Sequence, residues 1–359
     1  MPIPFRPSPP SAPCFDAARD AWILSRYSDV SATLQETSLC QSNADNAPTN
    51  SDGAHHSRLV AEVQTDIGRM SADVWRAQIE ETLFNLLQRA KRRRSADLVR
   101  DVIHPWATTM LVILNGGRAF HSRRLVEISE RLFYGPAMDD AAPQNDKREL
   151  ARQNKALEGE LDRMLESRQL LPCRSMFFGL TQTLPSFLAK AWLALLRHPD
   201  QIAKLVADPK LISNATEELL RYAGLVHTLY RRSTRDFSIG DLHVKNQQMV
   251  ILELDSANFD PDRFEQSNRM DITRRAAGHL GLGAGLNGCV GSFLVRMACS
   301  VATPIFLAAR PLLITGEEVV WTGDRTVLWP LSIPVSFSGT PVIGTYAAEQ
   351  VSGRAWRYR

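Results

Sequence analysis

Five glycines fall within the eleven residues Gly281-Leu282-Gly283-Ala284-Gly285-Leu286-Asn287-Gly288-Cys289-Val290-Gly291, and an apolar helix is predicted directly behind them, over 292–307. So dense a run gives a backbone stripped of Cβ atoms that can lie flat against something large and planar. It does not sit early in a strand–helix–strand unit and no Lys-Ser/Thr ends it, which argues against a dinucleotide or phosphate loop. Instead it delivers a cysteine to the start of a helix, where N–H groups and the helix dipole favour a thiolate.

The rest of the chain reads as helices first and strands later. Residues 1–13 are Pro-rich and predict an extended arm; residues 21–25 predict a strand, and 27–34 a helix with Ser28 as N-cap. Residues 41–54 are polar and predict a loop. Helical spacing dominates 55–135, where Ile79, Leu83, Leu86 and Leu87 form a stripe. Lys91-Arg92-Arg93-Arg94 closes that helix, as a solvated end or as a docking patch for an acidic partner. A charged helix follows over 149–168. Residues 176–196 are apolar almost all round, the mark of a core helix, apart from Thr181-Gln182-Thr183 and Pro185. A helix over 214–222, capped by Ser213, carries Glu217, Glu218 and Arg221. The period then changes to two, with strands over 229–239, 242–244, 248–254 and again within 312–345. This order predicts an α+β chain, mostly α, with small β-sheets and one domain over 1–359.

Composition narrows the function. Lys+Arg number 42 against 39 Asp+Glu, a net charge of +3, too small for a protein built to hold nucleic-acid phosphates. No run approaches the roughly 18 apolar residues of a membrane span, and residues 1–13 lack a secretory apolar stretch, so a cytoplasmic protein without a membrane anchor is expected. The five cysteines form no CxxC pair, which argues against a zinc ribbon or redox dithiol. A thiolate in a glycine-lined loop, beneath a core helix with polar residues at its centre, suggests a heme-iron ligand.

Four motifs in the right order then resemble those of soluble bacterial cytochromes P450. Gly283-x-Gly285-x-x-x-Cys289-x-Gly291 matches the heme-ligand loop, and Glu218-Leu219-Leu220-Arg221 the ExxR helix. Arg263-Phe264 matches the segment whose arginine joins that pair. Residues 231–240 match the strand whose arginine contacts a heme propionate. The resemblance implies the P450 fold, with heme b between the long central helix and the Cys-bearing loop. It implies Cys289 as axial ligand of the iron, and His56, Arg231, Asn287, Gly283, Gly285 and Gly291 at the cofactor. Arg58 falls beside His56, as heme support or as a solvated cation. Glu218, Arg221 and Arg263 would form a buried ion cluster under the loop. The resemblance places Gly179, Leu180, His227 and Thr228 at the substrate pocket, with His227 touching substrate or serving as an ordinary buried or surface histidine.

Departures from the family pattern bear on activity. In the central helix Gly179-Leu180-Thr181-Gln182-Thr183 keeps the threonine, but Gln182 replaces the acid and Leu180 stands where a glycine leaves room for dioxygen. Thr183 and Gln182 are the catalytic candidates, and Pro185 predicts a kink just beyond them. Leu282 replaces an aromatic residue, Asn287 a cation, and Val60 a second arginine after His56. The chain is short for the family and is expected to lack part of the N-terminal sheet. The implied activity is monooxygenation of a small apolar or natural-product substrate, using dioxygen and electrons from an external ferredoxin-type donor. The alternatives are a heme-thiolate enzyme of another class (peroxide-driven, dehydration, rearrangement or coupling) or a non-catalytic heme- or substrate-binding member.

Overall fold

The computed structural model describes residues 8–42, 61, 65, 72–114, 119–134, 144–166, 177–224, 226–239, 242–323 and 328–337. His56, Arg58 and Val60 lie outside them.

The N-terminal strands β1 (Cys14–Asp16), β2 (Ala21–Leu24) and β3 (Leu39–Ser42) do not stand alone. They join β5 (Thr228–Ser233) and β8 (Met249–Glu253) in a five-stranded sheet of order β1-β2-β8-β5-β3. The N-terminal strands are short, and they are completed by partners some two hundred residues away. β2 runs parallel to β8, with Ala21 opposite Met249 and Leu24 opposite Leu252. β3 is antiparallel to β5, which sets Gln41 beside Arg231. The helix α1 (Tyr27–Leu34) follows β2 and is capped from afar. Ser28 lies inside the helix rather than at its N-cap, and the Asp260 carboxylate accepts the Tyr27 N–H at 2.8 Å.

The helical layer comprises α2 (Ala72–Arg92), α3 (His104–Leu114), α4 (Ala119–Tyr134), α5 (Gln144–Glu166), α6 (Leu184–Arg197), α7 (Pro199–Ala207) and α8 (Ile212–Tyr222). Ile79, Leu83 and Leu87 of α2 are buried, as their spacing requires. In α6 every residue from Leu184 to Leu195 is buried, which is why its sequence is apolar on all sides. Trp192 at its middle stacks on Phe306, with ring centroids 4.2 Å apart, and donates its indole N–H to Thr303 Oγ1 at 3.2 Å. Both partners lie on α10 (Ser292–Ala308), which follows the glycine-rich loop. In α8 the expected cap Ser213 is the second helical residue.

The short helix α9 (Leu254–Asn258) follows β8. The remaining strands form a pair β6 (Phe237–Ile239) and β7 (Leu242–Val244), a three-stranded sheet and a final hairpin. The sheet has the order β4-β12-β9, from Ser95–Asp97, Pro334–Phe337 and Pro311–Leu313. The hairpin pairs β10 (Val320–Gly323) with β11 (Leu328–Ser332). Among the described residues no helix is long and apolar enough to cross a membrane.

Candidate active site

The central helix changes pitch where its polar residues sit. Gly179–Thr183 form a π-helical turn, and the Leu184 N–H bonds the Gly179 carbonyl, five residues back. Pro185 accounts for this: it offers no N–H to the Thr181 carbonyl, and its ring clashes with that carbonyl in a regular α-turn. The expected kink is thus realised as one extra residue in the turn.

The wider turn decides which side chains face outward. Thr183 is exposed, and its hydroxyl makes only a long contact of 3.5 Å to the Phe178 carbonyl. A Cβ on Gly179 would meet nothing within 4 Å. Leu180, by contrast, is 3% exposed and belongs to the main apolar core. Its assignment to the pocket, in the way of dioxygen, is corrected: the turn rotates it into the core and leaves Gly179 and Thr183 on the open side.

Gln182 is turned away as well. Its amide donates to the Ser129 carbonyl on α4 at 3.2 Å and lies 3.4 Å from Thr181 Oγ1. The Ser129 hydroxyl lies 3.3 Å from Nε2 of His104, whose pKa burial pushes down to about 4. This environment explains the glutamine, because the site needs a donor facing a carbonyl. Gln182→Glu sets a carboxylate against that carbonyl and is expected to cost about 1–3 kcal/mol at pH 7. A carboxyl so placed has a folded pKa above its unfolded value. The deficit therefore grows as pH rises past about 4.3 and vanishes in acid. Urea unfolding of the variant at pH 4 and pH 7 checks the sign.

The cysteine loop is closed by its own backbone. The Cys289 N–H bonds the Leu282 carbonyl at 2.8 Å, Gly288 N–H the Gly285 carbonyl at 3.1 Å, and Gly283 N–H the Leu280 carbonyl at 2.9 Å. Gly283 and Gly285 both sit at φ +68°, in the left-handed region. The loop is anchored behind by Asn258, which accepts the Leu280 N–H at 2.7 Å, and by His279. His279 and Arg296 both bind Glu217, at 3.1 Å and 2.6 Å. Burial raises the Glu217 pKa, but these hydrogen bonds outweigh it and hold the carboxyl at about 2.

Cys289 itself presents an exposed thiol ringed by protein atoms. Desolvation raises its pKa, against the Gly291 N–H and the Arg296 charge that lower it. A bound metal ion displaces the thiol proton. Among the described residues no group of three His, Cys, Asp or Glu side chains could hold a metal ion.

Beneath the loop, Glu218 and Arg221 are fully buried and joined by two hydrogen bonds of 2.7 and 2.8 Å. Arg221 also donates to the carbonyls of Asn258 and Ser267 at 2.8 and 2.9 Å. The third cation is Arg274, 3.3 Å from Glu218, and not Arg263. Arg263 is exposed; it donates to the Ala277 carbonyl at 2.8 Å and lies over the rings of Phe264 and Tyr27. That membership in the cluster is corrected. Arg274 follows Asp271, whose N–H already binds Glu218 at 2.9 Å, so local backbone brings it in.

Arg231 is buried on β5 and donates to the Tyr230 carbonyl at 3.0 Å. Thr228 opens the same strand half-buried. His227 is not available to substrate: both ring nitrogens are engaged, one with Asp255 and one with Lys190.

A family model described as Cytochrome P450 matches residues 173–319, the span holding the central helix, the ion pair and the cysteine loop. Cytochrome P450-SU2 of Streptomyces griseolus is 28% identical over 88% of this chain and 87% of its own length. Along nearly its whole length the chain is similar to bacterial cytochromes P450. Cytochrome P450 monooxygenase PikC of Streptomyces venezuelae is 33% identical over 43% of this chain and 38% of its own length. The solved structure of the cytochrome P450 enzyme CYP109B1 from Bacillus subtilis superposes with a TM-score of 0.74 at 22% identity, covering 90% of this chain and 95% of that one, so the fold is shared.

The family's cofactor is heme, bound through a cysteine thiolate. The residues present fit it. The Cys289 thiol is accessible at the end of a loop whose glycines keep the backbone bare, and Gly179 leaves open space on the central helix. Asn287 Oδ1 is buried without a hydrogen-bond partner in the protein, an acceptor that calls for a donor and not for a propionate carboxylate.

Proposed function

We propose that this chain is a heme-thiolate monooxygenase that oxidises a small apolar or natural-product molecule, with dioxygen and electrons from an external ferredoxin-type donor. The observation that carries the reading is the π-helical turn, which puts the Thr183 hydroxyl and bare Gly179 on the open side of the central helix while Leu180 is buried. Cys289 would ligate the heme iron, with Arg231 and Asn287 toward its polar edge. Bound heme supplies a thiolate-ligated iron able to activate dioxygen. Thr183 Oγ1 holds a proton on the open side with little competition from the backbone, and so is the residue to pass it inward. Glu218, Arg221 and Arg274 keep the loop in place and do not act on substrate. The relatedness to a protein named as a monooxygenase supports the same reading.

One observation favours a second reading. Gln182 is committed to the Ser129 carbonyl, so Thr183 has no acid beside it on the helix to restore its proton. That is the arrangement of an enzyme fed by peroxide, which arrives already carrying its protons.

The test is the absorption spectrum of heme-loaded, reduced protein under carbon monoxide. A strongly red-shifted Soret band is expected for the parent and none for Cys289→Ser, with circular dichroism unchanged. Absence of the band in the parent overturns the assignment. Turnover of a panel of apolar substrates with ferredoxin and dioxygen, set against peroxide alone, then separates the two readings.

A further inference from the structure

The buried face of α6 carries one charge that the chemistry above does not use. Lys190 is 3% exposed, in the middle of a helix whose residues from Leu184 to Leu195 are all buried. Its Nζ bonds the Gly224 carbonyl and lies 3.3 Å from Nε2 of His227, while Nδ1 of His227 bonds the Asp255 carboxylate. The His227 carbonyl also accepts the Leu254 N–H at 2.8 Å and the Asp255 N–H at 3.4 Å. Three parts of the fold meet here: the central helix, the turn from α8 to β5, and α9.

The chemistry of the trio is fixed by its partners. Nδ1 faces a carboxylate and carries the hydrogen, so Nε2 presents a lone pair and the ammonium donates to it. Moving one proton from Nζ to Nε2 leaves the net charge unchanged. Losing that proton leaves a buried net charge of −1, with the Gly224 carbonyl held by a weaker, neutral donor.

Lys190 also stands in register with the open side of the helix. It lies seven residues past Thr183, close to two helical turns, on the stripe that begins at the exposed hydroxyl. The turn it holds leads directly into half-buried Thr228 and then Arg231.

We propose that Lys190, through His227 and Asp255, is a positioning residue that fixes the α8–β5 turn as a wall of the substrate pocket. This rests on the reading that the turn lines that pocket. Burial lowers the Lys190 pKa to about 8, with Asp255 opposing the fall. The other charged and titratable groups on the elements around α6 are turned to their own partners. Glu218 binds Arg221 and Arg274, Glu217 binds Arg296 and His279, His104 lies against Ser129, Cys299 against Thr303, and Lys204 against Asp271. The folded pKa lies below the unfolded value of 10.5, so the buried charge burdens the fold below pH 8 and the burden lifts as pH rises from about 8 to 10.5. Lysine is therefore not placed here for stability.

The experiment is hydrogen exchange of amides 226–230 in the full chain at pH 7. Lys190→Met is expected to lower their protection about ten- to a hundredfold against the parent, the loss of one charge-assisted hydrogen bond, while the amides of α2 keep theirs. Parent-like protection of 226–230 in Lys190→Met, or an equal loss in α2, overturns the proposal. In heme-loaded protein, affinity for 1-phenylimidazole should weaken in the same variant. A loosened turn without that change shows that the turn is no wall of the pocket and overturns the positioning role. The carbon monoxide spectrum tests the heme assignment independently of the exchange.

Discussion

Glu218→Gln is expected to destabilise the fold by about 3–5 kcal/mol, a large share of a typical total of about 5–15 kcal/mol. Glutamine keeps the shape, so no cavity is opened, and the loss is electrostatic. Glu218 is wholly buried and accepts from Arg221 twice, from Arg274 and from the Asp271 N–H. The variant leaves the Arg221 guanidinium buried without its counter-charge, although its bonds to the carbonyls of Asn258 and Ser267 remain. Those carbonyls belong to the segment that leads into the cysteine loop, so the damage reaches the site through backbone rather than through contact. Urea unfolding at pH 7 measures it. A matched pair of variants identifies the third cation. Arg263→Ala should cost no more than about 1 kcal/mol, because an exposed guanidinium over Tyr27 and Phe264 gives up only a cation–π contact and one hydrogen bond. Arg274→Met should cost more, since it removes a charge from Glu218 and the guanidinium's hydrogen bonds to the Gln266 and Arg269 carbonyls. The reverse order would restore Arg263 to the cluster.

The contrast between Arg263 and Arg274 shows where sequence reading ends. Glu218 and Arg221 are three apart on one helix, so their pairing is written in helical spacing. The cation that joins them comes from an irregular segment, where no period says which arginine turns inward. Leu180 failed for a related reason. The family pattern puts it on the open side, but the chain has a π-turn there, beside Pro185, and Leu180 is buried in the core. A proline two residues past the threonine was the available signal, and it was read as a kink. The cap of α1 was illegible because Asp260 lies 233 residues away from Tyr27. Lys190 and Asp255 were invisible for the same reason: a lone lysine in an apolar run declares that it needs partners and does not say which. The glycine-rich loop could be read because its chemistry is local, with bare backbone, cysteine and helix start contiguous in the chain.

Gly285→Ala is expected to abolish the red-shifted carbon monoxide band while leaving most of the helical signal. Two costs add at this position. The backbone sits at φ +68°, where an L-residue costs about 1–2 kcal/mol. The new Cβ would also lie 2.2 Å from the Leu34 carbonyl oxygen and 3.1 Å from its carbon. The second cost cannot be relieved by a rotamer, because the obstacle is backbone at the end of α1, whose other end is pinned by Asp260. The loop must therefore yield. Its own hydrogen bonds, Gly288 to Gly285 and Cys289 to Leu282, transmit the shift to the thiol, and an iron ligand tolerates little displacement. Gly316→Ala is the control: it shares the left-handed backbone, at φ +89°, but its Cβ would meet nothing within 4 Å. It should lose only the backbone share, about 1–2 kcal/mol by urea unfolding, and keep the band. If both variants keep the band, the loop is softer than its contacts with α1 imply. If both lose it, backbone strain anywhere near the helical core is enough, and the close approach of Gly285 to Leu34 has no special part in holding Cys289.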